Sequence, residues 1–91
     1  MCKCKINYLF PYSTTTISSN TTWNSDTIHC GHIIVTNNAT LTISAQLIMN
    51  PAAKIIVQNG GTLIVDTGNI VNANVDVQTS AKLQLLHNGT V

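Results

Sequence analysis

The side chains able to do chemistry are few, and the densest group is His29-Cys30-Gly31-His32. Two imidazoles bracketing a glycine, with a thiolate between them, are the ligand types that hold a zinc-like ion. The spacing is short and a fourth ligand is lacking. Cys30 is therefore expected to point inward as a small apolar side chain, with His29 and His32 flanking a solvated corner. Cys2-x-Cys4 could clip a metal or pair, but no second Cys-x-x-Cys accompanies it. With Cys30 the cysteines are odd in number, and Cys2 and Cys4 are read as bystander thiols. Glycoside cleavage needs two carboxyl groups at a defined separation. Only Asp26, Asp66 and Asp76 exist, and the register below sets Asp66 and Asp76 on different strands. They are read as solvated. His87 is isolated, with no Ser–His–Asp arrangement and no phosphate-cradling glycine loop. No catalytic, cofactor-binding or metal residue is assigned, and no cofactor is expected.

Composition narrows the setting. The chain has 91 residues, enough for one domain. Charged residues make up 8%, against roughly 25% in an ordinary globular chain. There is no Arg and no Glu, so surface polarity comes from Thr, Ser, Asn and Gln. That habit belongs to extracellular β-proteins more than to cytoplasmic enzymes. A net charge of +1 gives no basic footprint for nucleic acid. No apolar run approaches the ~20 residues of a membrane span. Lys3, Lys5 and the apolar Ile6 to Phe10 stop at Pro11 without a cleavage site, so they do not make a secretory signal.

The elements that position these side chains are strands. Residues 1–12 show no sustained period, although Tyr8, Leu9, Phe10 and Tyr12 form a sticky cluster. Residues 13–27 are polar and β-branched, which disfavours helix, and allow one solvated strand around Ile17. Trp23, the sole Trp, is suited to cover one end of an array, so 13–27 are expected to be a cap. From Ile28 the period is two. Inward pairs are expected at Ile28 and Cys30, Ile33 and Val35, Leu41 and Ile43, Leu47 and Met49, Ile55 and Val57, Leu63 and Val65, Val75 and Val77, and Leu83 and Leu85.

The pairs repeat. Val35 to Val57, Leu41 to Leu63, Ile43 to Val65 and Met49 to Val71 are each 22 residues apart. Val57 to Val77 and Leu63 to Leu83 are each 20 apart, the loss being assigned to the corner around Ala73 and Asn74. A coil of that length with three short strands predicts a right-handed parallel β-helix of about three coils over 28–91. A hairpin at the Asn-Gly-Gly corner is the rival, but a hairpin requires no fixed 22-residue register. Asn37, Asn59 and Thr79 share a corner position and predict a stacked amide ladder, and Ala39, Gly61 and Ala81 supply a small residue there. Outward, Ile34 and Ile56 stack until Asp76 ends the stripe. Thr40 and Thr62 begin a threonine rank of the ice-binding type that Ile64, Lys82 and Gln84 interrupt. Three Asn-x-Thr sequons, at Asn20, Asn38 and Asn88, are matches that chance supplies in a chain this rich in Asn and Thr.

Ile17-Ser-Ser-Asn-Thr-Thr-Trp23 followed by Ile33-Ile-Val-Thr-Asn-Asn-Ala-Thr-Leu-Thr-Ile43 resembles the N-terminal cap and first coil of bacterial β-helix surface proteins of the Bacteroidota type. The Asn-Gly-Gly-Thr-Leu-Ile-Val and Pro-Ala-Ala-Lys-Ile-Ile-Val phrases resemble coils of the same family. The resemblance spans about residues 15–91. It implies a secreted or cell-surface, non-catalytic scaffold or stalk with adhesion or carbohydrate contact. It also implies partners in further coils or neighbouring domains of a longer chain, because His87-Asn-Gly-Thr-Val91 stops midway through a coil. The alternative is the start of a β-helix polysaccharide lyase or glycoside hydrolase whose active site lies beyond Val91. An open end exposes strand edges, so the isolated chain is expected to self-associate.

Overall fold

The structure is a computed structural model that describes residues 14–49, 53–72 and 74–91. The expectations for residues 1–12, Cys2 and Cys4 among them, lie outside the described residues. Eleven strands and no helix are found among those described: β1 (Thr14–Ile17), β2 (Thr21–Trp23), β3 (Thr27–His29), β4 (His32–Val35), β5 (Thr40–Ile43), β6 (Gln46–Met49), β7 (Lys54–Val57), β8 (Thr62–Asp66), β9 (Asn69–Val71), β10 (Asn74–Val77) and β11 (Lys82–Leu86). Every pairing is parallel. Three sheets result, in the orders β1-β4-β7-β10, β2-β5-β8-β11 and β3-β6-β9. Each of the first three turns of chain contributes one strand to each sheet and the last adds β10 and β11 to the first two, so this is a parallel β-helix.

In the first two sheets the strands pair in the register that the repeat predicts. Ile33 pairs with Ile55 and Val35 with Val57, and Ile55 and Val57 then pair with Val75 and Val77. Leu41, Leu63 and Leu83 form one row and Ile43, Val65 and Leu85 the next. These rows bury the core: Ile33, Val35, Leu41, Ile55, Val57, Leu63 and Val65 are wholly inaccessible. Each buried side chain of this size is stabilising by about 1.5–3 kcal/mol relative to exposure. The flanks of the Asn-Gly-Gly corner do not pair with each other, which excludes the hairpin. β7 and β8 belong to different sheets.

The third sheet departs from expectation. Ile48, not Met49, pairs with Val71, because one extra residue enters the corner between β8 and β9. That residue is Thr67, held at φ 61°. Gly68 follows it, and a Cβ there would stand 2.6 Å from the Ala45 carbonyl oxygen and 2.7 Å from that of Ile43. The glycine lets the longer corner lie flat on the shorter one below. The next corner, between sheets three and one, is then three residues shorter in the upper layer, since Ile48 to Lys54 is six positions and Val71 to Asn74 is three.

Residues 13–27 are read from sequence as a cap; in the structure β1, β2 and β3, from Thr14 to His29, form a full layer that pairs in register with β4, β5 and β6. Its inward residues differ from those above. They are Thr15, Ile17, Thr21, Trp23, Thr27 and His29, beneath Ile33, Val35, Leu41, Ile43, Leu47 and Met49. Threonine and two rings on the inner face let this layer meet both core and water. Ile28 and Cys30 are not the inward pair. Ile28 is exposed and pairs with Ile48, whereas Thr27 and His29 sit beneath buried Leu47 and Met49. Hydropathy picks the isoleucine, but the pleat fixes the phase.

At the first corner the expected amide ladder is replaced by a repeated tight turn. Ala39, Gly61 and Ala81 each donate their N–H to the carbonyl three residues earlier, on Thr36, Gln58 and Gln78. Asn37 and Asn38 both have φ 60°, and Asn59 and Gly60 have φ 50° and 78°. Positive φ at both central positions is the sign pattern of a type I′ turn, which favours Asn and Gly. The Asn59 amide donates to the Thr36 hydroxyl at 3.1 Å. Backbone bonds tie successive corners, as in Gln58 N–H to Val35 and Gln78 N–H to Val57.

Candidate functional site

The chemistry-bearing side chains are spread along corners and occupied locally. In the first layer the corners are short: Thr14 pairs with His32, 18 positions on, while Thr21 pairs with Leu41, 20 on. Where a backbone carbonyl would otherwise receive the first N–H of the next strand, a side chain substitutes. Asn20 Oδ1 accepts from Thr40 N–H at 2.9 Å, opening β5. Asp26 Oδ1 accepts from Gln46 N–H at 3.0 Å, opening β6. His32 Nδ1 accepts from Lys54 N–H at 3.0 Å, opening β7. The last bond places the His32 ring proton on Nε2, since Nδ1 must carry the lone pair. These residues work as strand starters in the same way that polar caps satisfy orphan donors elsewhere.

His29 and His32 do not converge. His29 faces inward and packs against Trp23, with ring centroids 5.7 Å apart and planes at 39°. Cys30 is disulfide-bonded, so the expected apolar thiol is corrected and no thiolate is offered to a metal. Among the described residues no three of His, Cys, Asp and Glu are grouped so as to hold an ion. Desolvation by burial holds His29 below its ordinary value, with a hydrogen bond to the His32 backbone acting the other way. The sign follows from proton counting. The unfolded chain takes up a proton at about pH 6.5 that the folded His29 refuses until lower pH. Stability is therefore full above pH 6.5 and falls as pH drops through that value toward the folded pKa. Thermal melts from pH 7.5 to 5.5 should show a falling Tm, and His29→Gln should flatten this slope. An unchanged slope in the variant would place the titration elsewhere.

The acids sit apart. Asp26 sits in the first layer and opens β6 of the second. Asp76 lies outward on β10 and accepts from the Gln78 amide at 3.3 Å. Asp66, at the end of β8, meets His87 Nδ1 at 2.7 Å. Sequence reading left His87 isolated. The signal that finds it is the pairing of Asp66 with Leu86, which brings the next corner residue over the carboxylate. His87 has φ 50° and its side chain is 73% exposed. A catalytic His–Asp pair requires a nucleophile on the other ring nitrogen. The serine nearest in sequence, Ser80, lies before β11 and His87 lies after it, with a five-residue strand between them. An exposed pair of this kind contributes about 0–1 kcal/mol.

The outward faces match the expected stripes. Ile34 stacks on Ile56 until Asp76, and Thr40 on Thr62 until Lys82. A further outward apolar row, Ile28, Ile48 and Val71, runs along the third sheet. The largest apolar exposure is at the top of the stack. Val77, Leu83 and Leu85 occupy inward positions of the last layer yet are 38%, 37% and 51% exposed. β10 and β11 each have one neighbour. No family model, curated protein or solved structure matches the chain.

Proposed function

We propose that this chain is a non-catalytic structural β-helix module of a secreted or cell-surface bacterial protein. It acts as a rigid scaffold or stalk, and carbohydrate contact or adhesion is its outlet. The observation that carries the reading is the difference between the two ends. The first layer mixes Thr15, Thr21, Thr27 and His29 with Ile17 and Trp23 on its inner face, which suits a terminus. The last layer turns only Val75, Val77, Leu83 and Leu85 inward, which suits a continuing stack. The titratable side chains support it too, because Asp26 and His32 are engaged in starting strands. The disulfide at Cys30 favours an oxidising compartment, where such bonds persist. The likeness of the coil phrases to those of bacterial surface β-helix proteins points the same way.

The alternative is the first part of a polysaccharide lyase or glycoside hydrolase with its site in later coils. Asp66 with His87 is the one acid–histidine pairing among the described residues that favours it. A glycan array and a polysaccharide-degradation screen distinguish the two readings. Applied to a protein that carries this chain together with the coils beyond Val91, the screen should return binding at most under the scaffold reading. Cleavage of a polysaccharide would overturn it.

A further inference from the structure

We propose that the inner face of the first layer docks residues 4–13 of this same chain, tied there by a disulfide between Cys30 and one cysteine of the Cys2-x-Cys4 pair. The inference does not rest on the scaffold reading, since coils that bind or cleave a glycan leave it unchanged.

Cysteine arithmetic gives the tie. The chain has three cysteines, Cys2, Cys4 and Cys30, and Cys30 is disulfide-bonded. Its partner within the chain is therefore Cys2 or Cys4, and the reading of both as bystander thiols fails for one of them. Cys30 directly follows β3, and Thr14, which opens β1, pairs with His32. Thr14 thus stands one strand spacing, about 4.8 Å, beneath His32. Cys30 is two residues from His32, about 7 Å at full extension. The two ends of the segment are then held within about 12 Å of each other. The ten steps from Cys4 to Thr14 reach up to ~33 Å. That slack lets the segment run out over the inner face of the first layer and return.

The two ends of each row point to a cover on this face. One row runs Ile17, Val35, Val57 and Val77. Ile17 and Val77 both lie on end strands, yet Ile17 is 7% exposed and Val77 38%. The next inward row runs Trp23, Ile43, Val65 and Leu85. Trp23 is half-buried, whereas Leu85 is 51% exposed. His29 shares the first layer, and desolvation holds its imidazole below the ordinary value. The chemistry of the face selects the occupant. It mixes the hydroxyls of Thr15, Thr21 and Thr27 with the apolar Ile17 and Trp23. The segment brings Ile6, Leu9 and Phe10 for the apolar part. Tyr8 and Tyr12 add rings that carry a hydrogen-bonding hydroxyl at the tip, suited to the threonines.

The test uses the 91-residue chain. Trypsin cuts after Lys3, Lys5 and Lys54, so the three cysteines fall on three separate peptides. Non-reducing mapping should find the Cys30 peptide joined to that of Cys2 or Cys4. A free Cys30 thiol, or Cys30 joined to a second copy, would overturn the tie. Trp23, the sole Trp, reports the cover. Tyr8→Ser combined with Phe10→Ser leaves every core residue in place, so the β circular-dichroism signal should persist. The Trp23 emission should shift to the red, and acrylamide should quench it more strongly than in the parent. Reduction of the parent, at a temperature where its β signal is kept, should move the emission the same way and serves alone where the variant fails to fold. Trp23 emission that stays put under reduction would mean that the ring covers its own layer, and the proposal would fall.

Discussion

Leu63→Asp is expected to unfold the stack. Leu63 is wholly inaccessible, in the middle of the row Leu41, Leu63 and Leu83. Truncating such a leucine removes about 2–5 kcal/mol. Replacing it with a carboxylate adds the cost of an unpaired charge in an apolar layer, several kcal/mol more unless the group takes up a proton. The total rivals the ~5–15 kcal/mol that holds a domain together. The β circular-dichroism signal and the cooperative melt should both be lost at pH 7. Leu83→Asp occupies the next rung of the same row, but Leu83 is 37% exposed. Its carboxylate reaches water, so at low protein concentration the variant should lose only about 1 kcal/mol. A Leu63→Asp protein that melts like its parent would break the register. A Leu83→Asp protein that unfolds as fully as Leu63→Asp would mean that the last layer is covered.

The contrast between these two rungs explains what sequence could and could not show. Strand rows in the first two sheets are legible because apolar side chains alternate and recur at fixed intervals, and parallel stacking turns equal intervals into contacts. The third sheet slips by one because Thr67 enters a corner, and a corner has no hydropathic period to count. The phase of β3 is missed for a different reason. At the bottom layer the inner face no longer has to be apolar, so Thr27 and His29 take it and Ile28 turns outward. Asp66 and His87 are invisible as a pair because they are 21 residues apart and belong to successive corners. Asn20, Asp26 and His32 look like surface polar residues or ligands in sequence. Only the short first-layer corners reveal them as acceptors for strand-opening N–H groups.

Reduction of the Cys30 disulfide is expected to have the second largest effect. Cys30 directly follows β3, which has a single neighbour, β6, in a three-stranded sheet. An edge strand of three residues is the part of a stack that frays first. A covalent tie beside it limits the freedom of the unfolded chain. Removing a native disulfide from a small domain typically costs 2–5 kcal/mol. In a chain of this length that corresponds to a Tm lower by about 10 °C or more. Reductant and Cys30→Ala should each produce the drop, and reductant should add little to the variant. Peptide mapping should find Cys30 alkylated only after reduction. The result bears on location as well as stability, because cytosolic thiol pools would keep the bond open and leave the layer that carries Trp23 and His29 weakened. If Cys30 alkylates without reductant and the melt is unmoved, the oxidising-compartment argument falls. The scaffold reading would then stand on the apolar top face alone, which no redox condition alters.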